Sequence, residues 1–130
     1  QLMVFDEQRG IRVIDLLPSG LEPIDPHTSS AAGLAYHQHS NCPRGHLHTC
    51  SVFRRETYAD RVQYLSGWVP PGAHSLEYQA IASTRGTFVL PPAHASSVLE
   101  PELMGMSAAG QLVVRNSGAQ LIGSTASLNS

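Results

Sequence analysis

The sequence predicts an all-β chain folded as an antiparallel β-sandwich of about seven to nine short strands, with a long histidine- and cysteine-rich loop inserted. Three observations carry that prediction. Short runs rich in β-branched and aromatic residues recur along the chain. Turn residues separate them at roughly the 8–12-residue spacing of such folds. No segment keeps a helical period with caps at both ends. A length of 130 residues fits one domain, 1–130, with a tail or edge strand over 116–130.

The elements follow in order. Leu2–Phe5 and Ile11–Leu17 are apolar strand-like runs, and Asp6–Gly10 between them reads as a hairpin or a sheet-switching connection. Leu17-Pro18-Ser19-Gly20 ends the second run. From Leu21 to Thr49 the periodicity dissolves among prolines, glycines and five histidines, which predicts a long loop or a short helix embedded in one. Order returns at Ser51–Glu56, and Tyr58–Arg61 reads as a turn into Val62–Leu65, where Val62 and Tyr64 share one face. Trp68–Gly72 is the next expected turn. Leu76, Tyr78, Ala80 and Ala82 then alternate with polar neighbours, the cleanest period of two in the chain, with Ile81 interrupting the polar face. Gly86–Leu90, Ala93–Leu99 and Gln111–Arg115 complete the set, with Pro91-Pro92 and Pro101 expected at edges and crossovers.

The loop holds the conspicuous side chains. Cys42 and Cys50 are close in sequence within a turn-rich segment, which favours a local disulfide and an oxidising, extracellular or periplasmic setting; the alternative is two free thiols. His37 and His39, with His46 and His48, place imidazoles on one face of an extended segment, so two such pairs across a hairpin offer four nitrogen donors to zinc or copper. Their spacing matches no common zinc pattern, and a disulfide would withdraw both sulfurs. A solvated histidine-rich loop is the simpler reading, and the expected site carries no metal and no cofactor.

Composition narrows the function. With 14% charged residues and a net charge of -2, the chain lacks the clustered basic face of a nucleic-acid binder. All eight cations are arginine, which removes lysine chemistry. No apolar run is long enough to span a membrane as a helix. There is no Gly-x-Ser-x-Gly elbow and no phosphate-cradling glycine loop, so no catalytic residue is expected. Asp15, Glu77, Glu100 and Glu102 read as the polar faces and ends of strands. Phe53, Tyr58, Tyr64, Tyr78 and Phe88 read as core, and Trp68, placed in a turn, as core or an interface anchor. The opening Gln1-Leu2-Met3 reads as the start of a piece of a longer polypeptide.

Several collinear segments carry a resemblance. Ile11-Arg12-Val13-Ile14-Asp15-Leu16-Leu17-Pro18-Ser19-Gly20-Leu21-Glu22 resembles the Val-x-Asp-Leu-Leu-Pro-x-Gly-Phe-Glu segment near the C-terminus of bacterial-type alpha-2-macroglobulins. Asp60-Arg61-Val62, Pro70-Pro71-Gly72 with Leu76-Glu77-Tyr78, and Thr84-Arg85-Gly86-Thr87-Phe88-Val89-Leu90-Pro91-Pro92 are similar to later motifs of that family. Glu100-Pro101-Glu102-Leu103 with Ser107-Ala108-Ala109-Gly110 is similar to its closing Tyr-x-Pro-Glu and Ser-x-x-Gly.

The resemblance implies the last macroglobulin-like domain, equivalent in position to the receptor-binding domain of vertebrate members and built as a macroglobulin- or immunoglobulin-like sandwich. In that family a protease cuts a bait region, the molecule collapses around it, and a thioester in a separate domain captures it. The C-terminal domain packs beside the thioester domain. It therefore implies a non-enzymatic module of a secreted, protease-inhibiting protein, gating through contacts with other domains of the same parent chain. Neither cysteine lies in a thioester-like motif, a chain without lysine lacks the paired lysines of vertebrate receptor binding, and Leu99 stands where bacterial members often have tyrosine. Two other readings stand beside this one: a structural sandwich module of an extracellular fibre or surface assembly, and a metal-binding domain using His37, His39, His46 and His48. The expected partners are accordingly proteins, whether protease or assembly neighbours, with no nucleic acid and no membrane span.

Overall fold

A computed structural model describes residues 1–24, 52–115 and 118–122. Every ladder in it is antiparallel and no helix occurs among the described residues. The strands are β1 (Leu2–Val4), β2 (Gln8–Leu16), β3 (Leu21–Pro23), β4 (Arg54–Thr57), β5 (Arg61–Val69) and β6 (Gly72–His74). They continue as β7 (Ala80–Ala82), β8 (Gly86–Leu90), β9 (His94–Ser97), β10 (Met104–Met106), β11 (Gly110–Arg115) and β12 (Gly118–Ile122). A five-stranded sheet runs β10-β9-β2-β5-β4 and a three-stranded one β12-β11-β8, with two short ladders, β1-β6 and β3-β7. This is the antiparallel β-sandwich that the sequence predicts. The strands outnumber the expected seven to nine because three-residue pieces such as β1, β3, β6 and β7 pair in small ladders of their own.

Sequence and structure part company at identifiable places. Of the two readings of Asp6–Gly10 the sheet-switching one holds, since β1 pairs with β6 while β2 pairs with β5 and β9; other readings are changed. Leu21–Pro23, read as the start of the loop, forms β3 against Ala80–Ala82, a two-stranded edge where Pro23 needs no ladder donor. Trp68 and Val69 belong to β5, and only Pro70-Pro71 remain to make the expected turn. Ser75–Gln79, the cleanest alternation in the chain, pairs with no described strand. Its alternation comes from packing: Leu76 and Tyr78 lean on the core while Ser75, Glu77 and Gln79 are exposed.

Proline marks the changes of sheet. Pro18 lies between β2 and β3, Pro70-Pro71 between β5 and β6, and Pro91-Pro92 between β8 and β9, each pair of strands belonging to different sheets. A residue without an amide donor is tolerated where the chain leaves one ladder for another. Pro101 instead sits in the tight turn joining β9 to β10, closed by Leu103 N–H to Glu100 O at 2.9 Å.

The core covers one face of the five-stranded sheet. Ile11 and Val13 of β2, Val62, Tyr64 and Val69 of β5, and Ala95 of β9 meet Leu2 and Val4 of β1, which come from another ladder and close the opposite side. Ile11, Val62 and Val69 are fully buried, and each such side chain stabilises the fold by about 1.5–3 kcal/mol. Gly20 ties in the second sheet, since a Cβ there would overlap the Phe88 ring of β8.

Candidate functional site

The loop residues singled out by the sequence, Cys42, Cys50, His37, His39, His46 and His48, lie outside the described residues. Among the described residues no three or more His, Cys, Asp or Glu side chains gather as a metal site. The buried serine hydroxyls are committed to the backbone. Ser66 Oγ donates to Trp68 O at 2.7 Å. Ser107 Oγ accepts from Ala93 N–H at 2.9 Å and donates to Ala108 O at 3.1 Å. His74 Nε2 donates to Pro70 O at 2.8 Å, with its ring edge-on to Phe53. These groups fix turns, and none stands as a nucleophile beside a base.

Two arrangements remain, at different parts of the five-stranded sheet. The first is a corner where β2, β5 and β9 meet. Gly10 has φ +63 and falls, like Gly67, in the gap of the β2–β5 register between the pairs Arg9–Trp68 and Ile11–Ser66. Glycine on both strands at this gap lets the backbone depart from the regular ladder, and the face alternation of β5 slips by one. Val62, Tyr64 and Ser66 are buried, but Val69 rather than Trp68 is the next residue inside. Trp68 is therefore turned outward, 41% exposed.

Ser97 locks the same corner. Its Oγ donates to Arg9 O at 3.0 Å and accepts from Leu99 N–H at 3.2 Å and Glu100 N–H at 3.1 Å. Val98 N–H donates to Gly10 O at 2.8 Å, and a Cβ on Gly10 would stand 3.1 Å from Leu99 Cγ. The turn after β9 is thus clamped onto β2, yet it holds Val98 and Leu99 in solvent at 62% and 68% exposure. Three large apolar side chains presented by a rigid, hydrogen-bonded corner suit contact with a protein surface. The sequence left Trp68 as core or an interface anchor; Val98 and Leu99 were missed because they fall at the end of the extended Ala93–Leu99 segment.

The second arrangement is polar and faces inward. Asp15 lies two residues beyond Val13 on β2 and pairs in register with Val62, so it is on the core face and not on the polar face expected for it. Arg55 of β4 pairs with Tyr64 on that same face. Tyr78 Oη donates to Asp15 Oδ2 at 2.8 Å, and Arg55 Nη1 donates to Glu77 O at 3.4 Å. Burial pushes the Asp15 carboxyl above its ordinary range, with the Tyr78 bond pulling it partly back. Tyr64, also through burial, is pushed up to about 12, and Tyr78 rises further still. Tyr64 Oη is buried with no hydrogen bond of ordinary geometry among the described residues, although the Arg55 charge lies near enough to favour its phenolate.

In comparison with known families, residues 5–102 match the bacterial alpha-2-macroglobulin MG10 domain. No curated protein and no solved structure matches the chain.

Proposed function

The chain belongs to the bacterial alpha-2-macroglobulin MG10 domain family, and from that premise we propose that it is a non-enzymatic packing and gating domain of a large protease-trapping protein. Residues 1–130 act as a single domain beside other domains of the same parent chain, in an extracellular or periplasmic setting. The observation that carries this reading is the corner: Trp68, Val98 and Leu99 are exposed although the backbone beneath them is fixed by Ser66, Ser97 and Gly10. A surface held rigid in advance loses little entropy when it docks. Leu99, where bacterial members often have tyrosine, makes that contact apolar and leaves it without a hydroxyl.

The test uses the parent polypeptide. Leu99→Arg combined with Trp68→Arg is expected to reduce protease trapping while the melting temperature of the 130-residue chain stays within a few degrees. Undiminished trapping by a correctly folded double variant refutes the docking role. Cys42 and Cys50 are proposed to form a local disulfide that suits such a setting. Intact mass before and after reduction checks it, a gain of two hydrogens being the expected result.

A further inference from the structure

β9 and β10 form a hairpin that is pinned at both ends. At its turn, Leu103 N–H donates to Glu100 O at 2.9 Å and Ser97 N–H to Leu103 O at 3.0 Å. At its open end, Ser107 N–H donates to Ala93 O and Ala93 N–H to Ser107 Oγ, both at 2.9 Å. Between these fixings Ala95 and Ser97 are buried, so the alternation of β9 puts His94 and Ser96 on the outer face of the sheet. The register sets Met106 opposite His94 and Met104 opposite Ser96. Partners across a ladder share a face, so two thioethers and an imidazole lie together on that outer face. Met104 is 61% and Met106 53% exposed, and His94 is exposed beside them. β10 stands at one end of the five-stranded order, where strands usually carry charge, yet it reads Met-Gly-Met.

We propose that Met104, Met106 and His94 form a site for a soft monovalent cation, copper(I), with two Sδ atoms and one imidazole nitrogen as ligands. Directly opposed side chains have Cβ atoms about 5 Å apart and diagonal ones about 7 Å, spans that the three rotatable bonds of methionine close around one ion. The chemistry of the donors selects the metal. Calcium and magnesium need oxygen ligands, and zinc sites are built from thiolate, imidazole and carboxylate. Thioether is soft and uncharged, which suits copper(I). The described residues gather no cluster of His, Cys, Asp and Glu, and this set uses sulfur of another kind. Its neighbours in register on β2 are Ile14, beside His94, and Arg12, beyond Ser96. Arg12 thus stands two strand spacings from Met104, about 10 Å.

The 130-residue chain holds three methionines, Met3, Met104 and Met106, so methyl NMR reads each one separately. Silver(I) is the probe, stable to redox change and matched to copper(I) in charge and softness, added after any free thiol of Cys42 and Cys50 is alkylated. The Met104 and Met106 methyls and the His94 ring are expected to shift together and saturate at one equivalent, while Met3 on β1 does not move. Copper(I), kept reduced by ascorbate without oxygen, is expected to shift the same resonances, and zinc(II) to leave the two methyls unmoved. Met104→Leu keeps an exposed apolar side chain without the sulfur, and His94→Ala removes the nitrogen. Each is expected to weaken binding, read at the Met106 methyl, by about tenfold or more. The site is overturned if the two methyls do not respond, as on a merely apolar patch, if Met3 responds equally, or if both variants bind unchanged. A matching response to zinc(II) overturns the assignment to a soft cation.

Discussion

Both regions described above place polar side chains on the buried face of one five-stranded sheet, yet they do so with opposite consequences. At the corner the groups are hydroxyls. Ser66 and Ser97 are buried, neutral and bonded to the backbone of the turns they hold. Around Asp15 and Tyr64 the groups are a carboxylate, a guanidinium and two phenols, and the Tyr64 hydroxyl is buried with no hydrogen bond of ordinary geometry among the described residues. A neutral donor and acceptor that is fully satisfied rigidifies, whereas a buried ionisable group makes stability depend on pH. The comparison teaches that burial of polarity in this sandwich serves shape in one place and makes stability respond to pH in the other.

The sharpest way to test that contrast is Tyr78→Phe. It removes the donor to Asp15 and is expected to cost about 2 kcal/mol at neutral pH, since hydrogen bonds to charged groups are the strong ones. The cost should shrink in acid, because the bond matters most to the ionised carboxylate, whose pKa its loss raises further. Urea unfolding at a series of pH values measures both, and a pH-independent cost would break the contrast. Ser97→Ala is expected to cost about 1–2 kcal/mol by leaving the Leu99 and Glu100 amides without their acceptor. Here the cost should be the same from acid to neutral pH in the same titrations. Gly10→Ala comes last, at about 1 kcal/mol, for the left-handed backbone at φ +63. Leu99, exposed, can yield to the new methyl group, so thermal melting should show a small shift without loss of cooperativity.

How much of this was legible beforehand differs between the two regions. The placement of Pro18, Pro70-Pro71 and Pro91-Pro92 at changes of sheet follows from the missing amide donor, and the motif order from Ile11 to Ser107 carried the family. The outward turn of Trp68 was hidden, because it depends on the gap at Gly10 and Gly67 in the β2–β5 ladder, between residues distant in sequence. Asp15 was misassigned to a polar face because carboxylates usually lie there; Tyr78, arriving from a different segment, makes its burial tolerable. Val98 and Leu99 read only as the end of the extended Ala93–Leu99 segment, and their exposure follows from the clamp by Ser97.

Local chemistry thus determined the strand class, the breaks, the family and the alternation of Ser75–Gln79. Those properties depend on backbone preference and on periods of two, which need only neighbours in sequence. The ladder partners, the slip of face at Gly67, the exposed corner and the Asp15–Tyr78 hydrogen bond were decided only in the folded molecule. Each requires two or three distant segments to meet, and the register of their meeting, not the residue type, determines which side chain is inside.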